Sequence, residues 1–196
     1  METLSDIKTV EILKKNELSL FTTNDFARMF SIDNRNTLHK RLQRLAKRGT
    51  IKRLRQGKFS LVSNDIHNFE IANFIYKPSY ISLESALSLY GIITGIAHIT
   101  TSITVKRPLG LEIDNTSFSY TRISKKLYWG YQKIDNYLIA EPEKALLDWL
   151  YLGYKGLRNT KMDEIILSDL DKSKVLMYAR KLNNDSFTKF IKHQIR

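Results

Sequence analysis

Apolar residues recur at helical spacing through the first third of the chain, then switch to near-alternation. Residues 5–15 read as a short helix with Ile7, Val10, Leu13 and, just beyond, Leu18 on its buried side. Thr22 or Thr23 can cap a second helix over about 24–30, because a hydroxyl accepts from an unpaired first-turn amide, and Phe26 and Phe30 lie one turn apart there. Asp33 or Asn34 can cap a third, which runs to about Arg48 and is stopped by Gly49. At about 100° per residue, Leu38, Leu42 and Leu45 of this helix form one apolar stripe. Asn36, Lys40, Gln43, Arg44 and Lys47 project to the opposite side, and Arg35 and His39 fall near the edge of the stripe. Beyond Gly49, Ile51, Leu54, Phe59 and Leu61 alternate imperfectly with Lys52, Arg53, Arg55, Lys58 and Ser60 around a Gln56-Gly57 turn.

Three helices followed by a basic hairpin predict a winged helix-turn-helix over residues 1–63. Residues 64–78 are expected to connect it to a second domain over 79–196: SNDIHNFE (63–70) is polar with turn character and marks the boundary, and IANFIY reads as a short helix end stopped at Lys77-Pro78. There Ser82 is a candidate cap for a helix buried through Leu83, Ala86, Leu87 and Tyr90, and Glu84 suits that helix's positive end. Strands are expected over 98–107 and in LEID, SFSYTRI, YWGYQKI and NYLIA. Pro142, flanked by Glu141 and Glu143, starts a helix, ALLDWLYL, that is apolar on nearly every side. MDEIILSDL, KSKVLMYARKL and SFTKFIKHQI are further helical patterns. The fold class is therefore α+β, a winged helix-turn-helix followed by a mixed α+β domain.

Charge sharpens this picture. Net charge is +12 over 196 residues, and residues 34–59 hold ten Lys and Arg with no Asp or Glu. Residues 1–62 carry 14 cations against six acids, so +8, while the rest of the chain carries 18 against 14, so +4. A solubility device would be spread evenly. A concentrated excess on one helix and one hairpin points to a polyanion, and the lack of aromatic interleaving favours duplex over single strands. Asn36, Lys40 and Gln43 are expected to reach base edges in the major groove. Arg44, Lys47, Arg48, Lys52, Arg53, Arg55 and Lys58 are expected on phosphates, with the hairpin at the flanking backbone or minor groove.

No apolar run approaches the length of a membrane span, and the N-terminus lacks the pattern of a secretory signal. With zero cysteines, disulfide frameworks and thiolate sites are excluded, and a cytoplasmic location is expected. No phosphate loop or dinucleotide fingerprint occurs, and His39, His67, His98 and His193 have no metal-ligand spacing. Glu143 and Lys144 are adjacent, so on a helix they point about 100° apart and do not converge on one metal. No cofactor, metal or catalytic residue is expected. Asp148, inside the apolar helix, needs partners if buried and is expected to bond backbone groups. Trp129, Tyr128 and Tyr131 are expected in the core.

PSYISLESALSLYGII and LIAEPEKALLDWLYL resemble signature stretches of the AbiEi family, antitoxins and transcriptional regulators of bacterial abortive-infection systems. The resemblance extends over essentially the whole chain. It implies repression of a toxin–antitoxin operon through operator DNA; if the operator carries paired half-sites as inverted repeats, two protomers bind it, as a dimer or as cooperative monomers. It also implies neutralisation of a nucleotidyltransferase-like toxin without a stable complex. Two other classes stay open: a metal-dependent nuclease or nucleotidyl-transfer enzyme using acids of the second domain, and a protein-interaction module whose basic face grips an acidic toxin.

Overall fold

The computed structural model describes residues 5–62, 64–95, 97–160, 162, 165–168 and 170–195. The chain is mixed α+β and divides into two compact units, Met1–His67 and Asn68–Arg196. Among the described residues there are eight helices and two sheets.

The first unit contains α1 (Asp6–Lys15), β1 (Leu20–Thr22), α2 (Thr23–Met29), α3 (Arg35–Lys47), β2 (Ile51–Arg55) and β3 (Lys58–Leu61). Its helices begin where side chains satisfy first-turn amides. Ser5 caps α1, Asn34 caps α3, and Thr22 and Asp25 form a reciprocal capping box on α2. Burial alone would raise the Asp25 carboxyl. The Thr22 amide and hydroxyl, with Arg28, outweigh it and hold the group below its ordinary value. The stability this contributes is present above the ordinary carboxylate pKa and is lost as pH falls through the depressed one. Thr22→Ala removes half of the box and is expected to destabilise this unit by about 1 kcal/mol, read as a shift in its denaturant midpoint.

The core of this unit is Leu13, Phe21, Phe26, Leu38, Leu42, Leu45, Ile51, Phe59 and Leu61. The α3 stripe is buried, Leu38 to 5%, Leu42 to 3% and Leu45 to 1% exposure. In α1 the expected phase is wrong at one position. Thr9 and Leu13 face inward, so Ile7, about 200° round from Thr9, is 72% exposed. The three-stranded sheet runs β1-β3-β2, all antiparallel. Between Arg53 and Arg55 the register slips by a bulge, so Ile51 and Leu54 both turn inward while Arg53 and Arg55 stay exposed. This accounts for the imperfect alternation.

The second unit starts with α4 (Asn68–Ile75), so the division falls after His67, and the helix end expected in IANFIY belongs to a helix that begins three residues earlier and is part of the second unit. Ala72, Asn73 and Ile75 bury against the sheet, where the Tyr120 hydroxyl donates to the Ala72 carbonyl and the Leu138 amide to Asn73 Oδ1. The rest is β4 (Ser79–Ile81), α5 (Glu84–Leu89), β5 (Ile99–Thr104), β6 (Leu109–Ile113), β7 (Thr116–Arg122), a 3-10 turn at Lys125–Leu127, β8 (Tyr131–Ile134), β9 (Tyr137–Ala140), α6 (Pro142–Tyr154), α7 (Lys172–Lys181) and α8 (Asp185–Gln194). The six strands run β6-β7-β5-β4-β9-β8, with β4–β9 and β5–β7 parallel. Tyr80 pairs with Ile103, while Tyr120 pairs with the next residue over, Ser102. Paired residues share a face and neighbours alternate, so Tyr80 and Tyr120 lie on opposite faces. Tyr80 reaches α6 and Tyr120 reaches α4, so those helices cover opposite sides.

Three expectations change here. Ser82 does not cap α5. The cap position is Leu83, a buried leucine at φ 60°, ψ −141°, and Ser82 Oγ donates to Asp148 at 3.0 Å. That backbone region costs a side chain roughly 1–3 kcal/mol. It is held by the Thr101 hydroxyl, which donates to the Ser82 carbonyl and accepts from the Ser85 amide. Glu84 does more than meet a helix dipole, since it accepts two bonds from Arg158, at 2.6 and 2.7 Å, and one from Trp149 Nε1. The helical pattern over 162–170 falls partly outside the described residues, and within it Ile165 makes an antiparallel bridge to Ile93.

Candidate nucleic-acid interface

Every element that positions the cationic face belongs to the first unit. α3 divides lengthwise into three surfaces. The leucine stripe meets the core. A second flank is bound to α1 and α2: Arg41 donates to Thr9 Oγ1 at 3.3 Å, and its guanidinium lies over the Phe30 ring at 4.6 Å and the Phe26 ring at 5.5 Å. Burial, and then the charge of nearby Arg44, lower the Arg41 pKa from its ordinary value. Arg48, on the same flank, donates to both oxygens of Asp6 at 3.1 and 3.2 Å.

The third surface faces solvent and carries Arg35, Asn36, His39, Lys40, Gln43 and Lys47, all exposed. The expected base-reading set, Asn36, Lys40 and Gln43, lies together on it. So do Arg35 and His39, which the sequence left at the edge of the core stripe. Arg44 departs from the outward face expected for it, being half-buried with its charge near that of Arg41. Arg48 departs as well, because Asp6 engages it. No local signal could have placed Arg48, whose partner is 42 positions away.

The hairpin carries the remaining cations. β2 is an edge strand, and along it Arg53 and Arg55 are exposed and Lys52 half-buried. Lys58, half-buried, opens the central strand β3. An edge strand lined with cations resists pairing with another strand and concentrates positive charge that attracts a polyanion. The face therefore offers amide and imidazole groups able to pair with bases, surrounded by cations, with no carboxylate between residues 34 and 59.

Among the described residues, the most deeply buried charges lie in the second unit. Lys144 is 1% and Asp148 5% exposed, and they form an ion pair one turn apart on α6. Asp148 was expected on backbone groups. It bonds side chains instead, accepting from the Tyr80 hydroxyl at 2.8 Å and from Ser82 Oγ at 3.0 Å, besides Lys144. Lys144 also donates to the Tyr80 oxygen at 3.0 Å. Burial, and then the Asp148 charge, push the Tyr80 hydroxyl well above its ordinary pKa, so it remains a protonated donor. Tyr131 stacks on Tyr80 at 4.8 Å and Tyr128 packs at 5.0 Å, while the ammonium groups of Lys144 and Lys181 lie over the Trp129 ring at 5.1 and 4.2 Å. Lys144, Asp148, Tyr80 and Ser82 thus satisfy one another between α6 and the end of β4, as a polar core pin does.

Glu141 and Glu143 both pair with Lys174 of α7, at 2.9 and 3.0 Å, and Glu141 also accepts from the Tyr178 hydroxyl. They fasten α7 to the start of α6. Among the described residues no group of three or more His, Cys, Asp or Glu is placed to hold a metal ion. Nor is any helix among them long and apolar enough to cross a membrane.

No family model matches the chain, and no curated protein does. Among solved structures, the RV2827C protein from Mycobacterium tuberculosis superposes with a TM-score of 0.58, covering 96% of this chain and 80% of that one. At 11% sequence identity the likeness is one of fold, and it places the chain beside that protein as a mixed α+β architecture.

Proposed function

We propose that this chain is a sequence-specific, double-stranded-DNA-binding transcriptional repressor whose first unit acts as a winged helix-turn-helix. The observation that carries the reading is the outward surface of α3, where Asn36, His39, Lys40, Gln43 and Lys47 are exposed together while three leucines moor the helix from behind. In this reading α3 lies in the major groove. Asn36 and Gln43 pair with adenine and Lys40 with guanine edges, and the hairpin cations meet the flanking duplex. Inverted operator repeats would take two protomers.

The wider role rests on the two stretches that resemble AbiEi proteins. In that role the chain represses its own toxin–antitoxin operon in the cytoplasm. It counters a nucleotidyltransferase-like toxin without a stable complex, and it catalyses no reaction.

A mobility shift with the chain's own promoter against an unrelated duplex tests the first part. The promoter should be preferred by at least about a thousandfold at physiological salt. Equal affinity for both duplexes would remove the repressor reading. Within the interface, Asn36→Ala or Gln43→Ala should lower the preference by about 1–3 kcal/mol, while Arg53→Ala weakens all duplexes alike.

A further inference from the structure

The β2–β3 hairpin is tied down along most of its length. β3 is the central strand, flanked by β2 and β1. Lys58, its first residue, is already paired on both sides, with Arg55 of β2 and Thr22 of β1. Only Gln56 and Gly57 extend beyond that line, and the Gly57 carbonyl accepts from the Thr23 amide, the first residue of α2, at 3.0 Å. The tip is therefore fastened to α2.

The backbone of a single turn, at about 3.4 Å per residue, falls short of the floor of a minor groove about 7.5 Å deep, so at the tip only the Gln56 side chain could touch a base edge there. Two strands about 4.8 Å apart, with their side chains, are also too broad for a groove about 6 Å wide. At the tip itself stand Gln56, which is neutral, and Gly57, which has no side chain. A narrow minor groove attracts arginine. The arginines here lie behind the tip on an edge strand, where the bulge at Leu54 leaves Arg53 and Arg55 both exposed.

Resting on the duplex-binding reading above, we propose that the hairpin clamps the phosphate backbone and reads no sequence. All discrimination then resides in α3, in one major groove for each protomer. The sequence left backbone and minor groove as alternatives; the pinned tip selects the first.

The test changes the minor groove alone. Across the promoter footprint, each G·C pair is replaced by inosine·C, which deletes the minor-groove amino group. Each A·T pair is replaced by diaminopurine·T, which adds one. Both leave the major-groove edge as it was. Affinity should stay within about twofold at every position, and a loss of about tenfold at any of them overturns the proposal. Gln56→Ala, in an exposed turn, should leave the sequence preference unchanged, and a lost preference overturns the proposal too. Arg55→Ala should weaken promoter and unrelated duplex by the same factor and lower the salt slope by about 0.9, whereas a loss on the promoter alone counts against the clamp. A chain that shifts no duplex at all overturns the repressor reading itself, a result distinct from any of these.

Discussion

Asp148→Ala is expected to destabilise the second unit by about 3–5 kcal/mol. The reason is the group left behind. Lys144 is 1% exposed, and its ammonium would keep only the Tyr80 oxygen as a hydrogen-bond partner. Tyr80 and Ser82 would each lose an acceptor in the same step. Asp148→Asn keeps an acceptor but removes the charge, so it should fall between wild type and alanine. A double replacement, Lys144→Met with Asp148→Leu, removes both charges and should recover most of the loss, because exchanging a buried ion pair for apolar packing is often near neutral. The two tryptophans, Trp129 over Lys144 and Trp149 on α6, report unfolding by fluorescence against denaturant. If Asp148→Ala costs under about 1 kcal/mol, the pair is not the pin described above.

The second large effect is on DNA affinity. Arg35, Lys40 and Lys47 on the outward surface of α3, with Lys52, Arg53, Arg55 and Lys58 of the hairpin, are the seven cations taken to meet phosphates in this reading. If each displaces one counterion, the slope of log K against log salt is about −6. Between 50 and 200 mM salt, affinity should then fall by about four decades. Arg48 supplies an internal control. Because Asp6 holds it, Arg48→Ala should leave this slope nearly unchanged, whereas Lys47→Ala should reduce it by about 0.9. A slope shallower than about −2 would mean that this surface is not what meets the duplex. Equal slopes for the two variants would mean that the division of α3 into a tethered flank and an outward face does not govern binding.

Most helices were legible because each is bounded by local chemistry. Asn34 and Thr22 accept first-turn amides within three residues of themselves, and Leu38, Leu42 and Leu45 repeat at the helical period. The longer strands β5 and β7 could be recognised from runs of Thr, Ser, Ile and aromatic residues. β1 and β4, three residues each, could not, since so few positions establish no period of two. Both nevertheless sit at decisive points, β1 pinning the hairpin and β4 joining the two halves of the large sheet.

The candidate interface was legible to a similar degree. Asn36, Lys40 and Gln43 follow from the phase of α3 relative to its leucines. The pairing of Arg48 with Asp6 of α1 could not be foreseen in the same way, since its partner lies far away in the chain. The sequence by itself determined which residues turn together on one helix or strand, where helices start, and where positive charge concentrates, since those are matters of spacing and composition. Only the tertiary structure decided that Asp148 meets Tyr80 across 68 positions, that Arg48 turns to Asp6, and that the hairpin tip is fastened to α2. Such pairings depend on which elements pack side by side, and no local period records a neighbour that arrives from elsewhere in the chain.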